Sequence, residues 1–141
     1  MELFTMINPI EKTSTKEKTN KYKVEPYVIA GDIYGQKNLA GTGGWTWYTG
    51  SASWMYEAGI HYILGLTIEK GYLSINPCIP KDWREYNIEY KYKESIYNIN
   101  IFNYNKKNTG VETMIVNGQI IEEKKFYLEN KLLKYNVEIY M

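Results

Sequence analysis

The chain has 141 residues, enough for one domain or for one small domain together with part of another. Its 17 basic and 16 acidic side chains nearly balance, which removes the electrostatic argument for binding nucleic acid or an anionic membrane surface. The single cysteine, Cys78, excludes an internal disulfide framework and favours a reducing compartment.

The first half of the chain carries helix and loop signals. A short apolar stretch at residues 3–7 is expected to end before Pro9, because the residue before a proline disfavours the helical conformation. The polar residues 11–22 predict a loop with a short exposed helix that begins with the capping-box residue Ser14. Residues 27–34 are mostly apolar and are predicted to form a buried helix.

Two acidic positions in this half are candidate site residues. Glu25 stands between apolar neighbours and a proline, where a buried carboxylate would need a partner. Two roles are equally consistent with this position: binding a pair of sugar hydroxyls, or solvent exposure at the start of a helix. Tyr34 is assigned to the same sugar pocket. Asp32 follows Gly31 and fits a turn cap better than a pocket.

Residues 41–54 are the most distinctive stretch of the sequence. They contain four glycines, three tryptophans and several hydroxyls, and they lead into a predicted helix. Glycine lets a backbone approach a ligand closely, indole faces stack on sugar rings, and backbone N–H groups at a helix start attract an anion. We interpret the stretch as part of a carbohydrate site with a phosphate pocket, in which Trp45 and Trp47 bind sugar.

Thr49, Gly50 and Ser51 are the predicted phosphate-binding residues. The Thr49 hydroxyl and the next two backbone N–H groups would lie at the positive end of a helix dipole. Taken alone, such a tripeptide is more often an ordinary helix cap after a glycine-rich turn. Its position directly after Trp45 to Tyr48 favours the phosphate site.

The clearest helix is predicted over residues 51–64, with Ser51 as its N-cap and Gly65 after its end. His61 lies within it and is assigned to packing or the surface; one histidine cannot supply a metal cluster, so no metal site is predicted. Small and apolar residues share one face, so we expect the helix to be buried. They are Ala52, Met55, Tyr56, Gly59, Tyr62 and Ile63.

After Gly65 the apolar period becomes two, which is typical of strands. Asn117-Gly118, between two apolar runs, predicts a hairpin. Cys78 is predicted to be a buried, unreactive thiol. The predicted fold class is therefore α+β, with helices over residues 1–65 and an antiparallel β-sandwich or jelly-roll-like domain over residues 66–141. Alternation places strands near residues 73–75, 88–92, 97–101 and 135–141.

Four stretches resemble the C-terminal end of glycoside hydrolase family 94, which contains cellobiose and chitobiose phosphorylases and the phosphorylase-like region of cyclic β-1,2-glucan synthases. The version Trp45-Thr46-Trp47-Tyr48-Thr49-Gly50-Ser51 is most similar to the cyclic glucan synthase group. The four stretches are residues 22–34, 43–56, 63–66 and 75–83.

The resemblance implies an (α/α)6 barrel, of which residues 1–65 are the last helices, followed by a jelly-roll-like domain. It implies inverting phosphorolysis of a β-glucoside or β-glucan, expected to be β-1,2-linked, with inorganic phosphate as co-substrate and no other cofactor. By motif matching, Thr49 and Gly50 fall on the family's phosphate-binding pair, and Glu25 falls on a residue that binds sugar in the acceptor subsite. Since phosphate attacks, the protein supplies only a general acid.

The family's general acid lies in an upstream motif of Trp-Asn-Asp type, which this sequence does not contain. We therefore expect no turnover by the chain alone, and a partner chain that carries the missing barrel helices. The alternative is a non-catalytic carbohydrate-binding or structural β-sandwich module. The sequence has no apolar run as long as a membrane span and no basic, apolar leader, which predicts a cytoplasmic protein without direct membrane insertion.

Overall fold

The computed structural model describes residues 1–47, 50–131 and 134–141. It divides into two compact units, Met1–Ala58 and Gly59–Met141. In the described residues of the first unit the helices are short: α1 (Glu2–Ile7), α2 (Pro9–Lys12), α3 (Lys16–Tyr22) and α4 (Ser51–Glu57). Its strands are β1 (Asp32–Ile33) and β2 (Gly43–Gly44). No helix in the described ranges has the length and hydropathy needed to cross a membrane.

Local capping explains where the first helices begin. Pro9 occupies the first turn of α2, and the Asn8 side chain accepts a hydrogen bond from the Ile10 backbone N–H at 3.1 Å. The exposed helix predicted to begin with Ser14 as its capping residue is α3, and its cap lies one residue later. Its N-cap is Thr15, whose hydroxyl accepts a hydrogen bond from the Lys18 N–H at 3.2 Å.

The helix predicted over residues 27–34 is absent, and this prediction was wrong. The segment instead supplies β1, which pairs antiparallel with β2. Tyr22, Val24 and Val28 form a small buried cluster, so the apolar residues of this region fill a core without a helical period. Beyond β1, the Tyr34 N–H donates to the Thr42 carbonyl at 2.9 Å, which extends the pairing into the glycine-rich loop.

The helix predicted over residues 51–64 is formed by α4 and a π-helical segment, Ala58–Ile63, that follows it directly. Ser51 is the first residue of α4, whereas Gly50 is the N-cap and makes no side-chain capping bond. The expectation of burial was wrong, since no residue of α4 is buried, and Tyr56 and Tyr62 of the predicted face are 67% and 75% exposed. Helical spacing identifies an apolar face but does not show whether a neighbour covers it.

In the described part of the second unit, Gly59–Met141, the strands form a three-stranded sheet ordered β3-β4-β9 and a five-stranded sheet ordered β5-β6-β10-β7-β8. The predicted all-antiparallel arrangement was wrong at one pair, because β10 runs parallel to β6. The chain forms three further strands before it returns beside β6 in the same direction. The strands are β3 (Leu66–Glu69), β4 (Tyr72–Ile75), β5 (Glu85–Tyr92), β6 (Ser95–Phe102), β7 (Thr113–Val116), β8 (Gln119–Ile120), β9 (Lys125–Tyr127) and β10 (Lys134–Tyr140).

Both sheets of this unit contribute to one hydrophobic core. Alternate residues of β6 are buried, as the period of two predicts, and the intervening residues are partly exposed. Fourteen buried residues form the described core: Leu66, Leu73, Ile75, Ile79, Tyr97, Ile99, Ile101, Met114, Phe126, Leu128, Tyr135, Val137, Ile139 and Met141. The α+β composition is thus confirmed, while the barrel assignment and the domain boundary at residue 65 stay predictions.

Two local predictions in this unit have opposite outcomes. The hairpin at Asn117-Gly118 is confirmed, with φ angles of 48° and 82° between β7 and β8. Cys78 was predicted to be buried and is exposed. Its neighbours Pro77 and Ile79 are buried, so the extended backbone turns the thiol to the other side.

Candidate functional site

The glycine-rich loop is held against the small core of the first unit. The Gly31 N–H donates to the Trp45 carbonyl at 3.0 Å. A Cβ atom at Gly43 would lie 2.6 Å from Val24 Cγ2, and one at Gly44 would lie 2.6 Å from the Tyr34 hydroxyl oxygen. Glycine at these two positions therefore allows a closer approach of the loop than any side chain would permit.

Both predicted sugar-binding tryptophans adopt left-handed backbone conformations. The φ angle is 50° at Trp45 and 60° at Trp47, a region that bulky residues rarely occupy. Their residues are 64% and 73% exposed, so the conformations do not serve to bury the indoles. Strained positions of this kind cluster at ligand sites, where the surrounding structure fixes them.

Glu25 and Trp47, which were assigned separately to a sugar site, lie in contact. The Trp47 indole N–H donates to Glu25 Oε1 at 3.2 Å. Glu25 is half-buried and lies after the end of α3, so it does not stand at a helix start. Its Oε2 has no hydrogen bond with any residue that the structure describes, which leaves an acceptor available beside an exposed indole.

Tyr27 completes this aromatic group, and the sequence reading missed it. Its ring centroid lies 6.1 Å from that of Trp47 in an edge-to-face arrangement, and the residue is 74% exposed. The available signal was its place after Glu25-Pro26, but the apolar residues that follow directed the interpretation towards a helix core.

Tyr34 and Asp32 meet above Gly44 and form a second polar group. A Cβ on Gly44 would lie 2.6 Å from the Tyr34 hydroxyl oxygen and 2.7 Å from Asp32 Oδ1. The expected turn cap at Asp32 was wrong, because Asp32 lies in β1, opposite Gly44. A carboxylate and a phenol thus lie beside Gly44, the residue that precedes Trp45.

Of the predicted phosphate residues, Thr49 lies outside the described residues, as does Tyr48. Gly50 is the N-cap of α4, and its carbonyl accepts a hydrogen bond from the Trp54 N–H at 2.9 Å. Ser51 begins α4. The assignment of a phosphate to residues 49–51 stays a prediction.

A cavity of about 510 Å³ lies elsewhere in the first unit, among α1, α2 and α3. Lys12, Lys21, Tyr22 and Gly41 are among its lining residues, and none of the predicted sugar- or phosphate-binding residues that the structure describes lines it. Burial raises the pKa of the Tyr22 hydroxyl, an effect that the Ala30 backbone opposes. Across residues 1–47, 50–131 and 134–141, no group of three or more His, Cys, Asp or Glu side chains is placed to hold a metal ion.

Comparison with known proteins gives a family match for the part of the chain that carries these groups. Residues 1–65 match the model of the glycosyl hydrolase 94 superfamily, catalytic domain. A cyclic β-(1,2)-glucan synthase from Rhizobium meliloti is 40% identical over 117 residues, which is 83% of this chain. Solabiose phosphorylase from Paenibacillus borealis is 30% identical over 141 residues, 99% of the chain.

An N,N′-diacetylchitobiose phosphorylase from Vibrio furnissii is 28% identical over 123 residues, 86% of the chain. The aligned stretch is a small part of each relative: 4% of the glucan synthase, 18% of the solabiose phosphorylase and 15% of the chitobiose phosphorylase. The similarity therefore concerns one segment of each of these larger proteins.

Proposed function

We propose that this chain forms one wall of a glycoside phosphorylase or glycosyltransferase site, because residues 1–65 match the model of the glycosyl hydrolase 94 superfamily, catalytic domain. The substrate is a β-glucoside, and β-1,2-glucan is the one we favour. Similarity to two phosphorylases supports the use of phosphate, and similarity to a cyclic β-(1,2)-glucan synthase supports the linkage.

The observation that carries this proposal is the hydrogen bond between Trp47 and Glu25. It fixes one carboxylate oxygen and leaves the other to accept a hydrogen bond from a sugar hydroxyl. The exposed rings of Trp47 and Tyr27 give an apolar surface for the face of the same sugar. Trp45 and Tyr34 extend the surface along the loop.

The reaction that we assign to the complete site is inverting phosphorolysis. A phosphate oxygen attacks the anomeric carbon from the face opposite the glycosidic oxygen, the bond from that carbon to the glycosidic oxygen breaks, and an α-sugar 1-phosphate forms. A general acid outside residues 1–141 protonates the leaving oxygen. Thr49, Gly50 and Ser51 orient the phosphate, whose charge backbone N–H groups at a helix start accommodate.

The first experiment tests, with the purified chain, whether the general acid lies outside it. Incubated with β-1,2-glucan and inorganic phosphate, it is expected to release no glucose 1-phosphate, because the proton donor is missing. Release of glucose 1-phosphate at an enzymatic rate would refute the claim that the chain lacks the general acid. Binding of glucan without turnover agrees with that claim.

The phosphate site is tested in a complete enzyme, made by replacing the aligned 18% of solabiose phosphorylase with this chain. In that chimera Thr49→Ala is expected to lower kcat/KM for phosphate about tenfold to a hundredfold, the value of one hydrogen bond to a charged group. Ser53→Ala removes an exposed hydroxyl from α4 and serves as the matched control. Equal kinetics for both variants would exclude Thr49 from the phosphate site.

A further inference from the structure

The outward face of the five-stranded sheet in the second unit is lined with amides and carboxylates. On neighbouring strands Asn87 lies opposite Asn100, and Glu89 lies opposite Asn98. Asn136 of β10 continues the second row, because it lies beside Asn98 on the other side of β6. We refer to these five residues as the polar sheet face.

Part of this face is internally hydrogen-bonded and part is open. The Asn100 amide donates to Asn136 Oδ1 at 3.3 Å, and the Asn136 amide donates to Glu138 Oε1 at 3.0 Å. The side chains of Asn87, Asn98 and Glu89 make no hydrogen bond to any residue within the described ranges. They therefore present donors and acceptors that are held in place by strand register alone.

The face is a shallow groove rather than a flat surface. One cavity of about 330 Å³ is lined by Glu85, Tyr86, Asn87, Asn100 and Phe102. A second of about 510 Å³ has Asn87, Glu89, Asn98 and Asn100 among its lining residues. Because both cavities include Asn87 and Asn100, the groove runs continuously along β5 and β6. Each volume lies in the range of small-ligand sites.

Aromatic rings border one end of the groove. Phe102 lies 5.1 Å from Tyr140 and 5.7 Å from Tyr104, measured between ring centroids. Tyr104 is 58% exposed, and its hydroxyl donates to Glu85 Oε2 at 3.4 Å. An exposed ring tied to a groove carboxylate matches the combination of apolar face and hydrogen-bonding edge that a sugar ring requires.

We propose that the polar sheet face binds a neutral β-glucan segment, as a saccharide site separate from the loop at residues 41–51. Amide and carboxylate groups side by side exchange hydrogen bonds with hydroxyls, which both donate and accept. Glu85, Glu89 and Glu138 share this face with two lysines, Lys91 and Lys134, which lie on either side of Ile96. The face therefore has no excess of positive charge to hold a phosphate or a nucleic acid, which favours an uncharged ligand. The choice of a β-glucan as the saccharide rests on the proposed function.

The test is calorimetric titration of the full chain with β-1,2-glucan oligosaccharides. The double variant Asn87→Ala/Asn98→Ala and the single variant Tyr104→Ala are each expected to raise the Kd about tenfold, since each removes hydrogen-bonding or stacking contacts. Tyr127→Ala is the matched control, because Tyr127 is also 58% exposed but lies on β9 of the other sheet. It is expected to leave the Kd unchanged.

A second double variant, Glu25→Ala/Trp47→Ala, separates this site from the loop site of the proposed function. The inference is supported if this variant still binds glucan and loses that binding when the polar sheet face is also altered. This outcome does not depend on the activity of the chimera. An unchanged Kd in both sheet variants overturns it, as does the absence of any glucan binding by the chain. Tighter binding of glucose 1-phosphate than of the neutral glucan at the sheet also overturns it.

Discussion

Glu129 contacts two buried tyrosines of the core of the second unit, one through its backbone and one through its side-chain carboxylate. The Glu129 backbone N–H donates to the Tyr97 hydroxyl at 2.7 Å, and that hydroxyl donates to the Glu129 carbonyl at 3.2 Å. Its side chain accepts hydrogen bonds from Tyr135 and from Lys131. Those two bonds, Tyr135 first, lower the pKa of the Glu129 carboxyl, and the carboxylate raises the pKa of Tyr135 to about 12.

These shifts predict how stability depends on pH. A carboxyl with a lowered folded-state pKa contributes stability above its ordinary pKa, and that contribution is lost as the pH falls through the folded value. Tyr135, whose pKa is raised, contributes below its ordinary value of 10.0, and that contribution is lost as the pH rises towards about 12. Glu129→Gln should therefore flatten the acid limb of the stability profile, and Tyr135→Phe the alkaline limb.

The measurement is the urea midpoint of unfolding at intervals from pH 3 to pH 11 for the wild-type chain and both variants. Glu138→Gln is a suitable control for the acid limb, because Glu138 also accepts a hydrogen bond from a tyrosine, Tyr140. Among the described residues, Glu138 makes no hydrogen bond to Tyr97, Glu129 or Tyr135. A difference between wild type and Glu129→Gln that stays constant across the acid range would contradict the prediction.

Trp47 illustrates how the choice of residue conflicts with local conformational preference at the loop. Its left-handed backbone would suit glycine or asparagine, yet a tryptophan occupies the position with most of its surface exposed. Its indole N–H contacts Glu25 and its ring meets Tyr27 edge to face, while 73% of the residue stays exposed. Such a conflict between local rule and observed residue is expected where binding, rather than folding, determines the sequence.

At the scale of elements, the transition from the π-helical segment to β3 depends on Gly65. Its φ angle is 75°, and a Cβ atom there would lie 2.2 Å from the backbone carbon and oxygen of Asn76. The Asn76 N–H in turn donates to the Gly65 carbonyl at 2.9 Å. Neither backbone can withdraw without breaking that bond, so the position excludes every side chain.

We predict that Gly65→Ala lowers the free energy of unfolding of the second unit by about 3 kcal/mol, from left-handed strain and steric overlap together. Gly118→Ala is the matched control. Gly118 also has a positive φ, 82°, but a Cβ there would meet nothing within 4 Å. Its cost is therefore about 1 kcal/mol, from strain alone. Urea unfolding of both variants measures the difference, and equal losses would show that the overlap at Asn76 is relieved by a backbone shift.

Strand periodicity and turn chemistry were readable from the sequence because both act locally. The buried residues of β6 and the hairpin at Asn117-Gly118 follow from alternation and from positive φ preferences. The parallel pairing of β10 with β6 was not readable, since it depends on where a strand returns after a long connection. The helix predicted over residues 27–34 is absent because Val28, Ala30 and Ile33 of that segment pack in the small core of Tyr22 and Val24, without a helical period.

The sequence predicted which residues belong to the candidate site but not which of them are in contact. Glu25 and Trp47 are 22 positions apart, and no spacing rule links them until the pairing of β1 with β2 brings the loop back. The polar sheet face was missed for a related reason. Its asparagines alternate with core residues on separate strands, and they become one groove only through the register of β5, β6 and β10.

At the scale of the whole molecule, the two units have very unequal cores. The described part of Gly59–Met141 contains fourteen buried core residues drawn from two sheets, whereas that of Met1–Ala58 contains three, Tyr22, Val24 and Val28. Apolar side chains of α1 and α2 are instead exposed, with Leu3 at 77% and Ile10 at 67%. Hydrophobic burial is the main favourable term in folding, so we expect the second unit to be much more stable than the first when each is isolated.

We therefore predict that residues 59–141 alone unfold in a single cooperative transition, and that residues 1–58 alone show no cooperative transition. The larger unit keeps its two sheets and shared core, while the smaller buries too little apolar surface to offset the entropy of ordering its backbone. Thermal unfolding followed by circular dichroism on the two separate polypeptides measures this. A cooperative transition in residues 1–58 would contradict this prediction, because it would mean that the glycine-rich loop and its small core are stable without further helices.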